Sequence, residues 1–270
     1  MMIRLGMTTA FLFTLIPALP GQTGLGLSPM RVEIASRPGA VHSGALDLTT
    51  DSPATVRFRG ELLDFHIDQM MTPQFSRSVP GEAEHSCRGW LTVNPMESEV
   101  GPGQHIIARY TIRVPQDAAP KSYYCAAGFT ALPPADQLLQ SGLRATVRVV
   151  AVFYVVVGDP LVQGGLEELG LERVPGSSPA QWRAVLTLRN AGDRHFRPQG
   201  RLQVLGCSGE VLEEISLPSF PALPRRNQRY LMPLQTEARD RICSIKAAVE
   251  LGNHEILETQ ARVALQREAR

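Results

Sequence analysis

The stretch that decides the fold is Ala145–Gly158, ATVRVVAVFYVVVG. From Val149 to Val157 it is apolar at both parities, and β-branched valine dominates it, so it reads as a strand. Val147, Val149, Ala151, Phe153 and Val155 share one face of such a strand; Thr146, Arg148, Val150, Val152, Tyr154 and Val156 share the other. One face must pack in a core. The second begins polar and turns apolar from Val150, so something has to cover it: the protein's own core, a neighbouring domain or a partner protein. Cover from the protein itself is the commoner reason for a strand that is apolar on both faces. An apolar edge left bare is an aggregation hazard. What the protein does depends on which cover is used.

Outward from this strand, helix signals are scarce, and the 21 prolines and 23 glycines recur at short intervals. On the N-terminal side the strand-like runs are Leu27–Ile34, Ala54–Ile67, Trp90–Val93, His105–Val114 and Ser122–Phe129. Met70–Ser86 lacks periodicity and is expected to be a long loop. On the C-terminal side, GDPLVQGG (Gly158–Gly165) is rich in turn formers and is expected to be a hinge. A second series follows: Leu166–Val174, Trp182–Arg189, Arg201–Leu205, Val211–Leu217, Gln228–Leu234, Ile242–Leu251 and Ile256–Leu265. Asn190–Gly200 reads as a polar loop and Ser208–Glu210 as a hairpin turn. Short strands at this spacing point to an all-β chain of two tandem immunoglobulin-like β-sandwiches. The expected division is a signal peptide over 1–24, an N-terminal domain over 25–158 and a C-terminal domain over 159–270.

Arg4 followed by the short apolar run Ala10–Leu19 and then PGQTG has the form of a secretory signal peptide, with cleavage expected near Gly21–Gly24. The run is too short to span a bilayer, and Pro17 and Pro20 would break a buried helix. The expected product is an exported protein with no membrane span once the signal is removed. Formal net charge is +1, so no overall field draws nucleic acid. The four cysteines, Cys87, Cys125, Cys207 and Cys243, allow three pairings, and export permits disulfides. With two domains the local pairing, Cys87–Cys125 and Cys207–Cys243, is favoured. No C-x-x-C occurs and the histidines are scattered, so a metal site is not expected.

Catalytic signatures are missing. There is no G-x-S-x-G, H-E-x-x-H or P-loop. The adjacent acids Glu167/Glu168 and Glu213/Glu214 would point to opposite faces of a strand. Asp64, His66 and Asp68 would share one face, and the polar outer side of an edge strand accounts for them better than a ligand cluster. Trp90, Trp182 and Phe196 are candidates for a carbohydrate-binding face, but aromatics in sandwiches are usually core. No enzyme and no cofactor is expected.

Several segments together resemble the periplasmic pilus chaperones of the usher pathway, the PapD-like family. LSPMRVEI (Leu27–Ile34) is similar to that family's first strand, with its arginine. The run from Trp90 to Phe129, WLTVNPMESEVGPGQHIIARYTIRVPQDAAPKSYYCAAGF, is similar to its middle strands. VAVFYVVVG (Val150–Gly158) is similar to the last strand of its first domain. NAGDRHFRPQG and FPALPRRNQRYLMPL are similar to its second domain in distant members.

The resemblance implies a binding mechanism without turnover. The last strand of the first domain is added to a pilus subunit that lacks a strand. An arginine and a lysine clamp the subunit's terminal carboxylate. Arg31 matches the arginine. At the lysine's place stands Ala151, and the nearest cation is Arg148. The partner-binding residues this implies are Arg31, Arg148, Val150, Val152, Tyr154 and Val156. The partners it implies are a pilin-like subunit and an outer-membrane usher, in the periplasm. The other reading of the same sequence is a structural or adhesive immunoglobulin-like module of the cell surface.

Overall fold

The computed structural model describes residues 24–81, 83–132, 146–177, 181–235 and 241–263. Residues 1–23 of the expected signal peptide lie outside them. The chain is all-β, built as two β-sandwiches in tandem. Among the described residues no helix is long and apolar enough to cross a membrane.

The first sandwich contains β1 (Leu25–Ser28), β2 (Arg31–Ser36), β3 (Val41–Thr50), β4 (Val56–Ile67), β5 (Pro73–Ser76), β6 (Leu91–Asn94), β7 (Glu97–Val100), β8 (His105–Arg113), β9 (Ser122–Leu132) and β10 (Arg148–Val157). One sheet has the order β1-β3-β8-β6; the other runs β2-β10-β9-β4-β5, with β7 also on β4. Leu46, Leu48, Phe58, Ile112, Phe129 and Phe153 fill the space between them. The disulfide Cys87–Cys125 ties the segment before β6 to β9.

Three expectations change here. Leu27–Ile34 is not one strand: β1 joins one sheet and β2 the other, with Pro29 between them. A proline has no N–H for a ladder and a locked φ, so the chain changes sheets there. Met70–Ser86 is not all loop, because β5 pairs with the end of β4 from Asp64↔Ser76 to Ile67↔Pro73. Finally, β3 carries no strong sequence signal. Only Leu46 and Leu48 of its ten residues point fully into the core alongside Ala45, Asp47 and a polar start, and Gly44 lies under the ring of Tyr110.

The second sandwich contains β11 (Gly164–Arg173), β12 (Trp182–Asn190), β13 (Gln199–Gly206), β14 (Val211–Ser216), β15 (Arg226–Pro233), β16 (Ile242–Glu250) and β17 (Ile256–Arg262). Its sheets are β11-β12-β15 and β14-β13-β16-β17. Leu186, Leu188, Leu202, Tyr230, Ile245 and Val249 form the core. Cys207 and Cys243 are bonded. The segment after Val157 turns at Gly158, whose φ of +68° favours glycine, and leads into β11.

The sandwiches touch through matched intrusions. Leu223 of the second packs with Phe65, Tyr124 and Tyr154 on the outer face of the first. In return Met71, at the tip of the β4–β5 hairpin, packs against the second core, and its Sδ accepts the Leu231 N–H at 3.2 Å.

Candidate functional site

The site is built on β10. Ala151, Phe153, Val155 and Val157 point into the first core. Val150, Val152 and Tyr154 point to the opposite face, into a smaller cluster with Leu63, Phe65, Tyr124 and Leu223. The second face of the strand is therefore covered in part by the protein itself, from both sandwiches. Cover is thickest at Tyr154, which is 3% exposed, and thinner at Val150, Val152 and Val156, which are half-buried.

The two edges of β10 differ. Along one edge β9 pairs with the whole strand, from Arg148↔Thr130 to Val156↔Ser122. Along the other, β2 pairs in parallel only from Val152↔Arg31 onward. The first bond on that side is Val152 N–H to the Met30 carbonyl at 3.0 Å. Backbone groups alternate sides along a strand, so those of Arg148 and Val150 point to the same side as those of Val152. The Ala131 N–H to Val147 carbonyl bond, 2.9 Å, fixes the opposite parity toward β9. Among the described residues no strand pairs with β10 ahead of Val152 on that side. The result is a half-open edge that ends where β2 begins, at Arg31.

Around that end stands a polar cluster drawn from both sandwiches. Glu33, on β2, is central. Its Oε1 accepts from Arg197 Nε at 2.9 Å and lies 3.6 Å from Arg31 Nε. Its Oε2 lies 3.9 Å from His195 Nε2. The His195 imidazole and the Arg197 guanidinium lower the Glu33 carboxyl from 4.5 to about 2. Arg197 also stacks over the Tyr154 ring, 5.0 Å from its centroid.

Ser122, the first residue of β9, joins the sandwiches beneath this cluster. Its N–H bonds the Asp193 carbonyl at 2.8 Å; its Oγ accepts the His195 N–H at 3.0 Å and meets His195 Nδ1 at 2.9 Å. Ser122, His195 and Glu33 are the residue types of a hydrolytic triad. Ser122 has zero exposure, however, and its hydroxyl is engaged twice by His195, so no substrate reaches it. The trio is a structural joint.

The expected site residues fall in different places. Arg31 stands at the end of the open edge, with its side chain 52% exposed. Val150 lies on the open half and Val152 at its boundary. Val156 is already flanked by β2 and β9. Tyr154 is interior, packed among Phe65, His195 and Arg197, and offers no free surface. Arg148 does not approach Arg31: it sits four residues earlier along β10, about 13 Å, and bonds Glu61 Oε1 at 2.9 Å. Ala151 is fully buried in the core, where a lysine could not stay charged without a partner. Sequence reading missed Glu33, Ser122, His195 and Arg197. Glu33, Ser122 and the His195/Arg197 segment are distant in the chain, and no local motif joins them.

The other candidates dissolve. Asp64 is buried, accepts from Ser86 Oγ and is ion-paired with Arg88, while Asp68 caps the hairpin turn at Met70 and Thr72. Among the described residues no His/Cys/Asp/Glu group could hold a metal ion. Phe196 is buried, and Trp90 packs on Tyr123 at 4.3 Å in the other sandwich, so no aromatic row forms.

No family model and no curated protein matches the sequence. Among solved structures the chain is similar to the class 5 fimbriae chaperone CfaA, at 11% identity and TM-score 0.46, over 89% of this chain and 99% of that one. It is similar to the E. coli chaperone DraB, at 14% identity and TM-score 0.43, over 90% and 98%. The Pseudomonas aeruginosa CupB2 chaperone matches at 13% identity and TM-score 0.42, over 88% and 100%.

Proposed function

We propose that this is an exported, chaperone-like protein that binds a strand-deficient subunit of a pilus or other surface structure by strand addition. The subunit's strand lies beside Arg148–Ala151, in the slot that β2 fills from Arg31 onward. The observation that carries this reading is the half-open edge of β10 ending at Arg31. Unpaired N–H and C=O groups on such an edge are a template for another strand.

The slot also sets polarity. A strand added there must stop or turn at Arg31, because β2 blocks its path. Running parallel to β10, it presents its C-terminus to Arg31; running antiparallel, its N-terminal amine. Guanidinium groups favour the carboxylate. The reading therefore has a subunit strand parallel to β10, its terminal carboxylate at Arg31. In this proposal residues 25–158 form the subunit-holding domain and residues 159–270 close the far side of the site. Work of this kind belongs in the periplasm, with an usher as the next partner.

The test is Val150→Pro. Its N–H points to the open edge, so proline removes a donor for an incoming strand and, among the described residues, no bond within the protein. Wild type and variant are used for affinity capture from the periplasm of the native host, with captured proteins identified by mass spectrometry. The expected result is a small exported protein lacking one sheet strand, captured by wild type and lost from a variant with unchanged circular dichroism. If wild type captures no such protein, or the folded variant captures it equally, strand addition is wrong and the surface-module reading takes its place.

A further inference from the structure

The arginines at the end of the open edge already hold a carboxylate, and it is the protein's own. Arg31 comes from the first sandwich and Arg197 from the second, and both reach the same oxygen of Glu33. Among the described residues Glu33 is the carboxylate that pairs with Arg31. Arg197 is only 16% exposed and is fixed twice more, by the Ser219 carbonyl at 3.3 Å and by the face of Tyr154. Glu33, by contrast, is 44% exposed and stands on an edge strand. Arg197 is held by groups other than Glu33, while Glu33 has water beside it, so in the Glu33–Arg197 pair the glutamate is the partner free to leave.

We propose that Glu33 is a resident competitor: it occupies the Arg31–Arg197 pair in the empty protein and gives way to a carboxylate of the bound partner. This rests on the strand-addition reading. It assigns the second cation to Arg197, a residue of the other sandwich, rather than to β10. Exchange moves the Arg197 ion pair from Glu33 to the partner, so binding replaces a direct tie between the sandwiches with one that runs through the partner's carboxylate. Capture of the partner and the angle between the sandwiches are coupled in this way.

The alternative role for Glu33 is to position Arg31, and the two roles give opposite signs. A soluble ten-residue peptide of alternating valine and threonine is made with a free carboxylate and with an amidated C-terminus. Binding to wild type, Glu33→Gln and Arg197→Gln is measured by titration calorimetry, with thermal melts confirming folding. Arg197→Met, which removes the charge and keeps an unbranched chain over the Tyr154 ring, stands in if Arg197→Gln does not fold.

The expected result is at least a fivefold gain in affinity for the free-carboxylate peptide in Glu33→Gln, with the amidated peptide unchanged. Loss of preference for the carboxylate is expected in either Arg197 variant. If Glu33→Gln binds the carboxylate peptide no better or more weakly, Glu33 positions Arg31 and the proposal falls. If every protein binds both peptides alike, strand addition survives and the proposal falls. If no protein binds either peptide, both fall.

Discussion

The two halves of β10 are close in sequence and differ in what lies beside them. Val152–Val157 is held between β2 and β9 and lies next to the second sandwich. Arg148–Ala151 has β9 on one edge, and among the described residues no strand pairs with the other. Valine recurs in both halves, so composition does not separate them. The difference arises on β1 and β2, where the chain changes sheets at Pro29 and β2 begins too late to reach the first half. A property of one strand is thus set by a break in another, more than a hundred residues away. The first half also packs into the core through Val149 and Ala151, but only the second half is paired on both edges among the described residues.

The largest expected effect tests that division of labour. Phe153 has zero exposure and meets Tyr110 edge-on at 5.0 Å. Phe153→Ala is expected to cost ~3–5 kcal/mol in urea unfolding. Val149→Ala, at a half-buried position of the first half, is expected to cost about 1 kcal/mol. Equal losses would mean that both halves carry the core alike and that the comparison is false.

Next comes the joint that covers the second half. Ser122→Ala leaves the His195 N–H and Nδ1 without their partner in a buried place, at a cost of ~1–3 kcal/mol. Because those bonds cross between sandwiches, solution scattering is expected to show a wider particle as well. A stability loss with an unchanged scattering profile would place the role of Ser122 inside the first sandwich alone.

What was legible in the sequence follows the same lines. The all-β pattern, two series of strands and the strength of β10 were readable, because β-branched runs and alternation are local signals. β3 was hidden, since a glycine under Tyr110 and a polar start mask its alternation. The β1/β2 break left only a proline as its trace. Of the site, Arg31 and the even-numbered face of β10 came from the sequence. The cluster of Glu33, Ser122, His195 and Arg197 did not, because tertiary packing brings together residues up to 164 positions apart. Tyr154 looked available on the strand pattern, and only the second sandwich shows why it is not.

A smaller effect is the pH dependence of Glu33. Its folded pKa, about 2, lies below the ordinary 4.5. Its contribution to stability is therefore present in full above about pH 4.5 and is lost as the pH falls toward 2. With the side chain 44% exposed, solvent screens the pair and the contribution stays under ~1 kcal/mol. Glu33→Gln is expected to flatten this part of the wild-type stability curve. An unchanged slope between those pH values would show that other carboxylates dominate there and that Glu33 contributes nothing to the joint.

The smallest expected effect is the sharpest test of the two halves. Val150→Pro removes an N–H that no strand among the described residues accepts, so stability is expected to move by no more than about 0.5 kcal/mol. Val156→Pro removes an N–H that points to β2, leaves a β2 carbonyl unpaired inside a full sheet, and is expected to cost ~1–3 kcal/mol or more. Both substitutions place the same ring on the same strand at the same parity, so side-chain chemistry and sheet face are held constant. Only the neighbour on the β2 side differs. If Val150→Pro destabilises as much as Val156→Pro, its N–H is already bonded within the chain and the slot beside Arg148–Ala151 is filled. If it does not, the edge is open in solution, and a strand arriving from outside finds its hydrogen-bonding groups unmatched.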